Sequence, residues 1–190
     1  NSNFNGQASI NYTISDGNEG EDSAIVTITV TPVNDNPVAG NDEFSLDEDT
    51  SGEINAIIND SDVDGDTLSI TSANSDHATI IANPDNSLSY TPDANFNGSD
   101  VVSYVLSDGQ GGTAIGLVTV TVNPVNDQPT AVADNYQVNE DTRLNVSAAD
   151  GVLNNDIDPD GDGLSVSSPL ISEPAHGTIQ VSSNGSFIYT

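Results

Sequence analysis

Four aspartates fall within seven residues at Asp60-Ser61-Asp62-Val63-Asp64-Gly65-Asp66, and the pattern returns as Asp156-Ile157-Asp158-Pro159-Asp160-Gly161-Asp162. Carboxylates at alternate positions, beside a glycine that allows a left-handed turn, suit the wrapping of a hard cation by oxygen. Like charges packed this closely repel when nothing is bound. A purely solvating role also leaves the recurrence beside the same linker unexplained. Ca²⁺ takes about six to eight oxygens in irregular geometry, whereas Mg²⁺ holds a tighter octahedron and keeps more water. Calcium binding is the chemistry expected.

These loops sit in a repeat. Pro32-Val33-Asn34-Asp35-Asn36-Pro37 returns 92 residues later as Pro124-Val125-Asn126-Asp127-Gln128-Pro129. Asn3-Phe4-Asn5-Gly6 and Ser15-Asp16-Gly17 return at that offset as Asn95-Phe96-Asn97-Gly98 and Ser107-Asp108-Gly109. A fixed period of this kind indicates stacked modules of one fold. The complete module covers 37–123, and its β-branched segments alternate between turn clusters, predicting strands over 43–46, 52–58, 67–71, 77–82, 87–91, 100–106 and 113–122. The fold class expected is all-β: tandem seven-stranded antiparallel Greek-key sandwiches of immunoglobulin type. Their core should contain Phe44, Leu46, Ile54, Leu68, Ile70, Ile80, Leu88, Tyr90, Phe96, Val102, Tyr104, Leu106, Val118 and Val120.

In such a sandwich, loop 60–66 joins the second and third strands, and Asp108 lies between the sixth and seventh. Both should emerge at the pole where the linker Asn34-Asp35-Asn36 enters, so oxygen ligands from three segments meet at one junction. Each acidic loop opens like an EF-hand. However, Thr71 and Ser167 stand where that motif's twelfth-position Glu belongs, and no flanking helices are predicted. A site completed from elsewhere in the fold is expected instead.

Residues 1–31 match the last two strands of a module. Residues 129–190 match its earlier part, with four extra residues between Thr142 and Asp156 relative to Thr50 and Asp60. The chain therefore reads as one whole module flanked by complementary pieces of another, cut from a longer protein. The pieces are expected at opposite poles, ~35–40 Å apart, whereas a five-residue linker reaches about 18 Å. Exposed apolar strand faces invite pairing, so head-to-tail complementation between molecules is expected.

Charge limits the partners. Against 30 Asp and Glu there is one cation, Arg143, for a formal charge of −29. Nucleic acid is excluded as a partner because no basic patch exists to displace counterions from phosphate. Anionic membrane surfaces are excluded likewise, and no apolar run reaches spanning length. Without cysteine, neither disulfides nor thiolate metal sites stabilise the fold.

Taken in order, ND-x-D-x-DGD-x-L (59–68), His176-Gly177-Thr178-Ile179, Tyr90-Thr91-Pro92, 95–100, 107–112 and both linkers resemble the cadherin-like repeats of giant surface adhesins and other secreted proteins of Gram-negative bacteria. That resemblance implies an extracellular, surface-displayed array whose junctions are stiffened by calcium. Asn34-Asp35-Asn36-Pro37 partly matches the linker of classical cadherins, and Gln128 departs from it at the second junction. The resemblance further implies Glu48 as a ligand at the second junction, with Asn126 and Asp127. It also implies the pairs Asp62 with Asp64 and Asp158 with Asp160, and the late-strand aspartates Asp108 and Asp16. The mid-module acidic triplet of cadherins is missing, leaving Asp93 or Asp100 as substitutes. The proposed ligand set also takes in Asp60, Asp66, Asp156 and Asp162.

Two other classes compete. Catalysis would need a triad or carboxylate pair in a cleft, yet His77 and His176 occupy equivalent repeat positions, which marks a requirement of the fold. Calcium-dependent polysaccharide binding would use the same carboxylates. It lacks tryptophan, and most of the five Tyr and four Phe fall at core positions, leaving few rings to stack on sugars. The Asn-X-Ser/Thr triplets at Asn11, Asn59, Asn97, Asn145 and Asn184 read as coincidences of composition.

Overall fold

The computed structural model describes residues 3–167 and 174–190. Parts of the predicted pieces 1–31 and 129–190 therefore lie outside the described residues. The chain forms two compact units, Asn1–Asn123 and Pro124–Thr190.

The first unit begins with an antiparallel hairpin of β1 (Gly6–Ser15) and β2 (Glu21–Val30). Its sandwich follows: β3 (Asn41–Asp47), β4 (Gly52–Ile54), β5 (Ser69–Asn74), β6 (Ala78–Ala82), β7 (Leu88–Pro92), β8 (Gly98–Ser107) and β9 (Thr113–Asn123). One sheet has the order β3-β9-β8-β5 and the other β4-β7-β6. Strict alternation along β8 and β9 turns Val102, Tyr104, Leu106, Val118, Val120 and Val122 inward, each at most 1% exposed. Leu88 and Tyr90 of β7 meet them from the opposite sheet. Each such burial contributes about 1.5–3 kcal/mol relative to exposure.

Several expectations need correction. β3 pairs with β9 in parallel, from Asn41↔Leu117 to Asp47↔Asn123, so the sandwich is not wholly antiparallel. Seven strands that reverse at every step leave the first and last running the same way, and here they are neighbours. The strand expected over 52–58 stops at Ile54 and continues as a 3₁₀ turn, Ala56–Asn59, which buries Ala56 completely. The third strand starts at Ser69 and is bulged between Ile70 and Ser72. Of the expected core, Phe44, Leu46, Leu68, Ile80 and Phe96 are only partly buried, packed around it, and Ala56 and Val122 join it.

Two side chains explain local sequence choices. The Tyr104 hydroxyl donates to Asp60, 3.1 Å from each carboxylate oxygen, and lies 3.2 Å from the carbonyl of Ala56. Its ring covers Gly116, its partner across the β8–β9 ladder, where any Cβ would overlap the ring. The His77 ring stacks on Phe96 with centroids 4.3 Å apart, and its carbonyl accepts the Asp93 N–H. The equivalent His176 carbonyl accepts the Tyr189 hydroxyl at 2.6 Å.

In the second unit, β10 (Leu144–Val146), β11 (Ile179–Val181) and β12 (Phe187–Tyr189) form a sheet of order β10-β12-β11. That order repeats β4-β7-β6. The isolated bridge Thr130↔Ile157 likewise repeats Val38↔Ser61 of the complete sandwich.

Candidate metal centre

Loop 60–66 is folded by its own carboxylates. Oδ1 of Asp62 accepts the backbone N–H of Asp64 at 2.9 Å and of Asp66 at 3.3 Å, and Gly65 turns the chain with φ near +80°. This curl brings one carboxylate oxygen each from Asp62, Asp64 and Asp66 within 4.8 Å of one another. The other oxygen of Asp62 is shielded from solvent and accepts no hydrogen bond. An anionic oxygen held this way is costly unless a cation meets it.

The linker closes on this loop. The Asp35 N–H donates to Oδ2 of Asp64 at 2.8 Å, and the Asn34 amide donates to Oδ2 of Asp108 at 2.8 Å. Asp108 is 3% exposed, and its Oδ1 accepts the N–H groups of Gln110, Gly111 and Gly112 at 2.7–3.0 Å. The Asn34 amide and those backbone donors hold its carboxyl below the usual range. Asp66 goes the other way: desolvation raises it first, then repulsion from Asp62, Asp108 and Asp64. Asn36 packs on Gly112, where a Cβ would overlap the Asp108 carboxylate and sit 3.0 Å from Asn36 Oδ1.

The second acidic loop reproduces the first bond by bond. Oδ1 of Asp158 accepts Asp160 and Asp162 at 3.0 and 3.1 Å, Gly161 has φ near +76°, and the Asp127 N–H donates to Asp160 at 2.7 Å. The carboxylates of Asp158, Asp160 and Asp162 also converge within 4.8 Å. The Asn126 amide donates to the Asp127 carbonyl at 2.8 Å, as that of Asn34 does to Asp35.

Other expected ligands stand apart from these triads. Asp60 accepts Tyr104 and the Gly40 N–H, pinning the start of the sandwich to its interior, and Asp156 accepts the Val132 N–H in the same way. Asp100, 4% exposed, is held by the Tyr90 and Ser75 hydroxyls and the Val101 N–H. Asp93 caps the turn before β8 through its backbone. Glu48, 1% exposed at the end of β3, accepts the Asn97 amide at 3.3 Å. Asp16 organises the β1–β2 turn, accepting the N–H groups of Asn18 at 2.7 Å and Gly20 at 3.0 Å.

Sequence reasoning missed three neighbours. Asn5 and Gln110 line a shallow cleft with Asn34, Asp64 and Asp66. Asp42 has one shielded, unbonded carboxylate oxygen, and burial, then Asp60, raises its proton affinity. Its recurrence as Asp134, 92 residues on, was the available signal.

Residues 1–29 and 34–121, more than half the chain, match the bacterial Ig domain. The chain belongs to that family. Residues 126–190 of this bacterial Ig protein match the bacterial cadherin-like domain. Both are non-catalytic domain types, typical of surface and secreted proteins. The calcium-binding lectin RapA2 of Rhizobium johnstonii is 32% identical over 143 residues, covering 63% of this chain and 59% of the lectin. Integrin beta-like protein E of Dictyostelium discoideum is 33% identical over 87 residues, 45% of this chain and 4% of that protein. The chain thus spans about three fifths of the first relative and a small part of the second. Extracellular cadherin domains 1–5 of protocadherin gamma B2 align over 96% of this chain and 39% of theirs, with 15% identity and a TM-score of 0.41.

Proposed function

We propose that each acidic loop of this bacterial Ig and cadherin-like array binds Ca²⁺, and that the ion fastens linker to sandwich in an extended extracellular spacer of a bacterial adhesin. The observation carrying this reading is the convergence of one carboxylate oxygen each from Asp62, Asp64 and Asp66 within 4.8 Å, together with a shielded Asp62 oxygen that accepts no hydrogen bond. The all-oxygen donor set suits a hard cation, and Asn34, Asp35 and Asp108 extend it across the linker. Asp158, Asp160 and Asp162, with Asn126 and Asp127, would serve the second loop. Bound ions neutralise clustered carboxylates in a chain of charge −29 and add stability by mass action, about 2.7 kcal/mol at a hundred times Kd. Sites of roughly 10⁻⁴–10⁻³ M affinity fill outside cells and empty within them.

Melting curves with calcium, magnesium or chelator test this directly. Calcium should raise the melting temperature well beyond magnesium at equal ionic strength. An equal response to both ions would reduce the effect to screening.

A second reading is favoured by one finding, the similarity to a calcium-binding lectin. On that reading the same loops support calcium-dependent polysaccharide binding. Retention on a glycan array in calcium, lost in chelator, would promote it.

A further inference from the structure

We propose that Asn34 is the positioning residue of the junction: its side-chain amide seats the linker on Asp108 with no cation required, so that an ion meets linker oxygens already in place. The seat stands by itself. Its benefit to an ion rests on the cation reading above.

The acids at this junction are of two kinds. Asp62 keeps a shielded oxygen that accepts no hydrogen bond, a charge the protein itself leaves unanswered. Asp108, 3% exposed, is answered in full. The N–H groups of Gln110, Gly111 and Gly112 donate to its Oδ1 at 2.7–3.0 Å. The Asn34 amide and the Gly112 N–H donate to its Oδ2 at 2.8 and 3.1 Å. These donors match the roughly four lone-pair sites of a carboxylate. A buried charge supplied in this way needs no metal to remain buried.

The backbone donors belong to the turn that carries Asp108 itself. The amide comes from Asn34, 74 residues earlier in the chain. Completing the carboxylate therefore requires the linker to lie against that turn. Withdrawal of the linker would leave a buried anionic oxygen short of a donor, which is the costlier state.

Asn34 passes this constraint along the linker. Its amide also donates to the Asp35 carbonyl at 3.2 Å, and the Asp35 N–H donates to Oδ2 of Asp64 at 2.8 Å. Val38 and Ser61 then exchange backbone bonds at 2.8 and 3.0 Å. Every link in this series is a hydrogen bond within the protein. Asn34 also lines a cleft with Asn5, Asp64, Asp66 and Gln110. None of its bonds uses the amide oxygen, a neutral ligand of the kind that a hard cation accepts. A linker fixed beforehand lowers the ordering cost that an ion must meet.

The residue type matters. An aspartate at position 34 would face Asp108 with like charge where a donor is needed. The second linker keeps the same device. Asn126 donates to the Asp127 carbonyl at 2.8 Å, and the Asp127 N–H donates to Asp160 at 2.7 Å. Thr130 and Ile157 exchange backbone bonds at 2.7 and 3.1 Å.

Hydrogen exchange by NMR on the intact chain in chelator tests the seat. The Asp35 and Val38 N–H groups should be protected in the wild type. Asn34→Ala and Asn34→Asp should each speed their exchange about tenfold or more. Amides of β8 and β9 should keep their protection in both variants, which separates an unseated linker from an unfolded sandwich. Free exchange at Asp35 and Val38 in the wild type, or unchanged exchange in Asn34→Ala, overturns the proposal. Calcium titration tests the benefit to the ion. Asn34→Ala should bind calcium about tenfold more weakly, and equal affinity would overturn that benefit. Asn34→Asp keeps an oxygen but loses the donor, so calcium should restore its lost protection. Protection that stays lost overturns the link between seat and ion. A wild type that is seated in chelator yet binds no calcium leaves the seat standing and counts against the cation reading alone.

Discussion

The backbone N–H of Asp35 donates to Oδ2 of Asp64 across 2.8 Å, linking the residue before the sandwich to the middle of its acidic loop. Asp127 and Asp160 make the same bond at 2.7 Å. A main-chain donor cannot change with side-chain identity, so the linker path is tied to the loop whatever residue follows. This accounts for a junction that tolerates Gln128 in place of Asn36.

Replacing Asp62→Asn together with Asp64→Asn removes two of three converging charges while keeping their size and acceptor oxygens. Calcium should then raise the melting temperature little, and the metal-free protein should melt no lower than wild type. At about 4–8 °C per kcal/mol for a domain of this size, a saturated site lost should be plain by calorimetry.

Calcium affinity should weaken as pH falls. Desolvation first, then its acidic neighbours, raise Asp66 above 3.8, so as pH falls protons compete with the ion for Asp66 earlier than for an ordinary aspartate. The sign for stability follows. A carboxyl raised on folding destabilises the metal-free fold as pH climbs from 3.8 through its folded value. Asp108, held below 3.8, stabilises the fold above 3.8 and loses that contribution as pH falls to its folded value. Titration calorimetry in acid buffers of different ionisation heat should detect proton release on binding that fades as pH rises, reduced by Asp66→Asn.

Tyr104→Phe keeps the ring and removes the hydroxyl that Asp60 and the Ala56 carbonyl share. The cost should be about 1–3 kcal/mol, because a part-buried carboxylate loses a donor. Urea denaturation should show a lower midpoint with unchanged slope.

Gly116→Ala should be at least as damaging, since its Cβ would overlap the Tyr104 ring that fills the site. Overpacking of this kind costs about 1–3 kcal/mol. The double variant with Tyr104→Leu should recover part of that loss. Full additivity of the two changes would show that the residues do not interact.

The inward faces of β8 and β9 were legible because a period of two in valine and threonine has one physical reading. The acidic triads were legible for a similar reason: carboxylates at alternate positions beside a glycine can curl only one way. Other features depend on contacts that spacing does not encode. Asp60 looks like the first ligand of its loop, but Tyr104, far along the chain, draws it inward. Asp100 reads in sequence as a substitute ligand, yet the Tyr90 and Ser75 hydroxyls engage it. The break after Ile54 reflects Ala56, a residue without strong preference that the core buries. The parallel pairing of β3 with β9 was implied by an even number of reversals between them, but alternation within a strand says nothing of its neighbour.

That pairing has a mechanical meaning. Strands β3 and β9 lie side by side and run the same way over seven paired positions, and they carry the two ends of the sandwich. Tension pulling those ends apart loads the whole ladder in shear, so its rungs must yield together. An antiparallel end pair would instead peel open one rung at a time.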